Sequence, residues 1–324
     1  MIQEAIFNEI AKKVPAQKLM AGFVSETLGI NNDAAYRRIR GETELGLDEA
    51  IKLCSRFNVS LDSISGNTFN NLIFRYHPVE LMNLDSYRIY LRQFTETVVS
   101  FMRKKHGEID YTAEDVPLFQ FLQHRELVFF NLFVWFSAVS GSKLSFERFL
   151  GEIEGKESLF DDFDRLANCY CDISSCEIWT VDTIDHLLRM LEYYYDMGVF
   201  TTKETVRLLF RQLHDMTDKL EQWTETGKKE GKGDFKLYVS ATNLANNYIL
   251  LKNEEDMAVG IRLYTVKSIL TYNPDFCKET EKWIKNMMKK STLLSGTSER
   301  ERARFFQQIK SKIDGCQEKM IGHK

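Results

Sequence analysis

The sequence predicts a mainly α chain with a small β component. An all-α N-terminal domain over 1–66 is followed by a larger α+β domain over 67–324. Three observations carry this. From Ile2 to Ile64 apolar residues recur three and four apart, the spacing of one helix face. Ser65-Gly66-Asn67-Thr68 is then a short polar cluster between two patterned regions, as a linker is. Beyond Gly233 the period changes to that of strands, in runs rich in Val, Ile, Leu and Tyr. A chain of 324 residues can hold two or three domains with cores of their own. With 44% hydrophobic residues, only 4 Pro and no long Gly/Ser tract, little of it is expected to be disordered.

The first helix spans Ile2 to Lys13, with Ile2, Ile6 and Ile10 on one face and Phe7 beside them, and Pro15 marks the next start. A second helix ends over Val24 to Leu28. Gly29 follows, where a chain reversal needs positive φ, and Ile30 is the apolar plug behind it. Asn31 then offers a side-chain oxygen to cap the next helix, and Asp33 suits its positive end. That helix turns Ala35 and Ile39 inward and leaves Asn32, Tyr36, Arg37 and Arg40 outside. A DNA major groove accepts such a helix. A fourth helix over 48–57 has Leu47, Ala50, Ile51, Cys54 and Phe57 as its expected inner face, and Ser60 caps a last short one.

This stretch, about a fifth of the chain, resembles the lambda-repressor-like, Cro-type helix-turn-helix family. The resemblance rests on Leu28-Gly29-Ile30 at the turn, Ala34 to Ile39 on the recognition helix and Val59 to Ile64 as the closing helix. It departs from the family at Arg38, where an apolar residue is usual and Ile39 takes over the core role. The resemblance implies a cytoplasmic, sequence-specific transcription regulator without enzymatic activity or cofactor. It would read double-stranded DNA through Asn31, Asn32, Asp33, Tyr36, Arg37, Arg38 and Arg40. Arg37 and Arg40 suit guanine edges or phosphates, and Asn32 suits adenine. The larger domain would then supply homodimerisation and sensing of a small-molecule effector.

Charge sharpens that expectation. The net charge of −4 argues against a broad nucleic-acid-coating surface. Residues 1–70 carry eight Lys/Arg against nine Asp/Glu, so positive charge is local to the recognition helix. Phosphate neutralisation supplies most non-specific affinity, so one such domain would bind weakly and two copies would compensate. Glu4 and Glu9 interrupt the N-terminus, which does not read as a signal peptide. The most apolar run, Leu127 to Val139, is too short to span a bilayer, so no membrane partner is expected. Six scattered cysteines in a large chain suit reduced thiols better than a disulfide framework.

In the larger domain, Leu72–His77 is expected as a strand paired with Ile109–Thr112. A long helix over 85–105 buries Tyr87, Tyr90, Leu91, Phe94, Val98 and Phe101. Val116–Val139 reads as one helix apolar on every side, a core element or the lining of a ligand cavity. Helices follow over 146–152, 161–174 and 183–195. In 203–225, Val206, Leu209, Leu213, Met216, Leu220 and Trp223 form a heptad seam, packed within the chain or against a partner's copy. The helix around Phe133 is the other candidate for that contact. Gly227 to Gly233 is expected as a flexible connection, before strands at 235–240, 248–252 and 259–270 and helices at 275–290 and 298–313. Ser298 with Glu301 has the pattern of a capping box.

No metal site is expected. Cys169, Cys171, Cys176 and His186 lack the paired spacing of closed zinc sites. No nucleophile-elbow, dinucleotide or Walker pattern occurs, although a catalytic site assembled from distant residues in the larger domain stays open as an alternative. So does a protein-binding role for the helix-turn-helix surface. Lys289, Lys290, Ser291 and Thr292 are a candidate ligand-binding set, two lysines and two hydroxyls ahead of a helix N-terminus. The plain alternative there is an interhelical loop.

Overall fold

The computed structural model describes residues 2–11, 13–14, 17–57, 59–64, 72–76, 79–80, 83–141, 143–153, 157–263 and 267–322. The expected linker 65–68, Pro15 and His77 lie outside them. The chain divides into two compact units, 1–73 and 74–324.

In the first unit, α1 (Ile2–Ala11), α2 (Gln17–Leu28), α3 (Asn32–Ile39), α4 (Leu47–Arg56) and α5 (Leu61–Ile64) enclose a small core. Ile6, Phe7, Ile10, Met20, Val24, Ala35, Leu53 and Cys54 are buried there. The inner face of α4 differs from expectation. Ala50, Leu53 and Cys54 are buried, whereas Leu47 and Ile51 are 73% and 46% exposed. Positions 50, 53, 54 and 57 form one helical stripe, and 47 and 51 sit on its flank. Ile2 is likewise exposed, one turn short of the core that Ile6 and Ile10 reach.

The second unit is built on one mixed sheet. Its elements in chain order are β1 (Arg75–Tyr76), α6 (Leu84–Met102), β2 (Glu108–Ala113), α7 (Leu118–Phe121), α8 (Arg125–Ser140), α9 (Phe146–Ile153), α10 (Glu157–Asp172) and β3 (Ser174–Trp179). Then come α11 (Asp185–Asp196), α12 (Lys203–Thr226), β4 (Phe235–Val239), β5 (Tyr248–Lys252), β6 (Met257–Arg262), β7 (Ser268–Thr271), α13 (Pro274–Lys290), β8 (Thr292–Leu293) and α14 (Glu299–Ile321). The strands run in the order β1-β7-β6-β5-β2-β3-β4-β8. Neighbours β2, β3 and β4 are parallel and the remaining pairs antiparallel. Alternation along the strands separates two cores. Ile109, Phe235, Leu237, Ile249, Leu251 and Ala258 face the large helical layer. Ile178, Leu250 and Val259 face the other way, onto Cys277 and Ile284 of α13.

Several expected elements change. The strand 108–113 pairs with β3 and β5, and β1 pairs with β7 instead. The single helix over 116–139 is two, α7 and α8, broken at Leu122–His124. The strand 259–270 is part of the antiparallel pair β6 and β7. In α12 the seam Val206, Leu209, Leu213, Met216, Leu220 and Trp223 is buried within the chain, none of the six more than 4% exposed. It packs against α8 and α14, so it offers no surface to a second copy. Phe133 is buried too, which removes the alternative helix from that role.

The stretch 227–233 is no flexible connection. Gly233 N–H donates to Cys171 O at 3.0 Å and Lys229 N–H to Gly233 O at 3.0 Å. This draws the Lys229 ammonium inside, where it donates to Ile173 O (2.5 Å) and Ser175 Oγ (2.9 Å) and lies 3.8 Å from the centre of the Tyr170 ring. Close by, the fully buried Glu177 carboxylate accepts from Tyr170 Oη–H (2.5 Å), Trp179 Nε1–H (2.6 Å) and Gln120 Nε2–H (2.8 Å). Burial pushes the Glu177 carboxyl up and pulls Lys229 from 10.5 down to about 7. Between those two values the unfolded chain holds the lysine proton and the folded chain does not, so this residue makes stability rise with pH there. Denaturant titrations from neutral pH to pH ~10 should show that rise in the native chain and a flatter profile in Lys229→Met. Parallel profiles would show that Lys229 keeps its proton on folding.

Candidate nucleic-acid interface

The turn between α2 and α3 is closed from both sides. Gly29 has φ +67°, Ile30 N–H donates to Ser25 O at 3.1 Å, and Ser25 Oγ–H donates to Ile30 O at 2.5 Å. The first of these bonds satisfies a carbonyl that the end of α2 would leave open. Asn31 caps α3 in extended conformation, its Oδ1 accepting from Ala34 N–H at 2.8 Å. Nothing crowds a Cβ at Gly29, so backbone strain alone makes a side chain costly there. Gly29→Val is expected to lower the stability of the first unit by about 1–3 kcal/mol. Amide hydrogen exchange over residues 17–39 of the full chain would read this as faster exchange. Exchange equal to the native chain would mean that the turn does not depend on Gly29.

From this base α3 presents Asn32, Asp33, Tyr36 and Arg37 to solvent, with Arg40 just past its end, while Ala35 is wholly buried. Tyr36 is 44% exposed, unusual for an aromatic ring in a small core-forming unit. Arg40 Nε lies 3.2 Å from Glu42 Oε1, an open surface pair that contributes little and can rearrange.

Arg38 has a different place. Its Nε and Nη2 donate to the two carboxylate oxygens of Glu49, each at 2.9 Å, and Nη1 reaches Ala34 O at 3.3 Å. This bidentate bridge ties α3 to α4 and holds the Glu49 carboxyl below its ordinary range. Arg38 is thus turned toward α4 and largely covered, and Ile39 packs partly buried on the core.

Two residues of this surface were not singled out from the sequence. Gln3 donates to Arg38 O and Thr43 O, both at 2.8 Å, and its Oε1 accepts from Leu45 N–H at 3.0 Å. It clamps the loop after α3 to α1, and a lone glutamine on a helix gives no sequence signal of such reach. Glu49 also accepts from Gly46 N–H at 3.3 Å. An acid three residues into a helix is half of a capping box, so that signal was present.

The other candidate residues are dispersed. Ser291 Oγ–H donates back to Met287 O at 2.7 Å, and Thr292 belongs to β8, paired with Val239. Lys289 and Lys290 are exposed at the end of α13. Glu299 and Glu301 occupy the first turn of α14, and Ser298 makes no capping bond. Arg302, 7% exposed, fills the loop instead and donates from Nη1 to Leu294 O (3.1 Å) and Gly296 O (2.8 Å). Acids at that helix start disfavour an anion, so the loop is a buried-arginine turn. Among the described residues no three His, Cys, Asp or Glu side chains converge as metal ligands. No described helix is long and apolar enough to cross a membrane. Compared with known proteins, the chain matches no family model, no curated protein and no solved structure.

Proposed function

We propose that this protein is a sequence-specific DNA-binding regulator that reads duplex DNA with α3. The observation that carries this reading is the exposed row Asn32, Tyr36, Arg37 and Arg40 on a short, capped helix behind a two-helix turn. An arginine matches the edge of guanine, an asparagine that of adenine, and the wholly buried Ala35 lets the helix be held from behind. Asn31 and Asp33 flank the helix start, and Arg38 acts by fixing the angle of α3 against α4.

The near-neutral charge of this region limits what one copy can gain from phosphates. We therefore propose a homodimer on a two-part site, where the second contact is effectively intramolecular. The contact surface belongs to neither the α12 seam nor the face around Phe133. Light scattering on the full chain should give twice the monomer mass, and a monomer that binds a single half-site would end this part of the proposal.

The same low charge is the observation that favours a second reading, in which α3 docks on a protein. Mapping of bound DNA in the native host separates the two. Discrete sites that vanish in an Arg37→Ala, Arg40→Ala chain support the DNA reading. Absence of any site, together with a protein partner lost in the same variant, supports the second.

A further inference from the structure

The second unit holds an open cavity of about 60 Å³ between α6, α7, α8 and the sheet. A smaller recess of about 20 Å³ lies beside it and shares Val116, Phe121, Asn131 and Arg262 with it. Most of the lining is aromatic or aliphatic, but its polar groups are unusual. Asn131 stands in α8, whose neighbouring positions 127–130 and 132–136 are all buried and apolar, and its side chain has no hydrogen-bond partner among the described residues. Asn247 is 4% exposed; its Oδ1 accepts from Asp115 N–H at 3.1 Å, and its Nδ2 donates to no described residue. Lys267 has no carboxylate partner among the described residues. Its ammonium lies 5.7 Å from the Trp135 ring centre and 5.6 Å from that of Tyr76, and donates to Val79 O at 3.2 Å.

We infer that this cavity is a binding site for a short-chain carboxylate. The ammonium of Lys267 and the free amides of Asn131 and Asn247 supply one cation and two donors, and a carboxylate accepts from all three. The apolar tail has Phe119, Phe121 and Val128 to bury against. Size sets the chain length. A cavity that takes benzene is about 150 Å³, so 60 Å³ fits a tail of a few carbons and no ring. Arg262 at the shared wall stays paired with Asp115, Nη1 to Oδ2 at 3.2 Å, and steadies the edge of the site. The inference does not depend on DNA binding, and its test contains no DNA, so either reading can fail alone.

The test titrates the full chain with butyrate, butyramide and benzoate, followed by calorimetry and by tryptophan fluorescence. Butyrate is expected to bind and to shift emission in the native chain but not in Trp135→Phe, because Lys267 sits by that ring. Butyramide, which lacks the charge, is expected to bind at least about tenfold more weakly. Benzoate should be weaker than butyrate on size. Lys267→Met keeps the apolar stem and should lower butyrate affinity by about tenfold without moving the butyramide value. Asn131→Leu, a second variant in a stretch, 127–136, that is otherwise apolar, should also weaken butyrate. Equal binding of butyrate and butyramide, no binding of either, or butyrate binding untouched in both variants would overturn the assignment. Benzoate binding more tightly than butyrate would overturn the size class.

Discussion

Replacing Arg37 and Arg40 together by alanine is expected to reduce specific DNA binding by about a hundredfold while the chain stays folded. Each base-contacting arginine contributes about 1–3 kcal/mol, and a tenfold change corresponds to about 1.4 kcal/mol. Both side chains are exposed, and the one ion pair they make among the described residues, Arg40 with Glu42, is open to solvent. Removing them therefore leaves the core of Ile6, Val24, Ala35 and Leu53 unaltered. If one of the two contacts a phosphate, the dependence of binding on salt should flatten by about one ion. Titration of native and variant chains at several salt concentrations measures both effects, with circular dichroism as the folding control. Unchanged affinity at all salts would take α3 out of the interface.

The largest expected effect on stability lies in the other unit, at Gly233. A Cβ built there would stand 2.2 Å from Ile173 O, 2.7 Å from Ile173 C and 2.9 Å from Cys171 O. These are backbone atoms at the junction of α10 and β3, and they cannot yield without breaking the Gly233–Cys171 and Lys229–Gly233 bonds. Moving the loop would also withdraw Lys229 from Ile173 O and Ser175 Oγ. Gly233→Ala should thus cost about 3 kcal/mol, at the upper end of overpacking effects. All 4 Trp lie in the second unit, so tryptophan fluorescence in denaturant follows that unit alone. A midpoint within error of the native chain would show that the 227–233 loop is not held as described.

How much of this was legible in the sequence depends on how local each determinant is. The α2–α3 turn was, because Gly29, Asn31 and the pair Ala35/Ile39 act within a few residues of themselves. The role of Arg38 was not, since it depends on Glu49, eleven residues further on, facing it from α4. β3 was not legible: the expected helix 161–174 stops at its first residue, and 175–179 carry no strand pattern strong enough to assign. Its Ser-Ser-Cys-Glu run carries a fully buried glutamate that looks like a solvent position until Tyr170, Trp179 and Gln120 are brought to it. The glycines of 227–233 suggested freedom, whereas at Gly231 and Gly233 they permit close backbone approach. The α12 seam was read correctly as a packing stripe, but a stripe does not say which helices will cover it. The polar cavity residues Asn131 and Lys267 come from distant parts of the chain and meet only in the folded unit.

The central claim, that α3 reads duplex DNA, is tested most directly by selecting bound duplexes from a random pool with the full native chain and, in parallel, with the Arg37→Ala, Arg40→Ala chain. The account predicts that the native chain enriches a two-part motif whose halves lie about one helical turn, roughly 10 bp, apart. It also predicts that the variant loses base preference in each half. A native chain that enriches no motif, or a variant that enriches the same motif to the same degree, would contradict it.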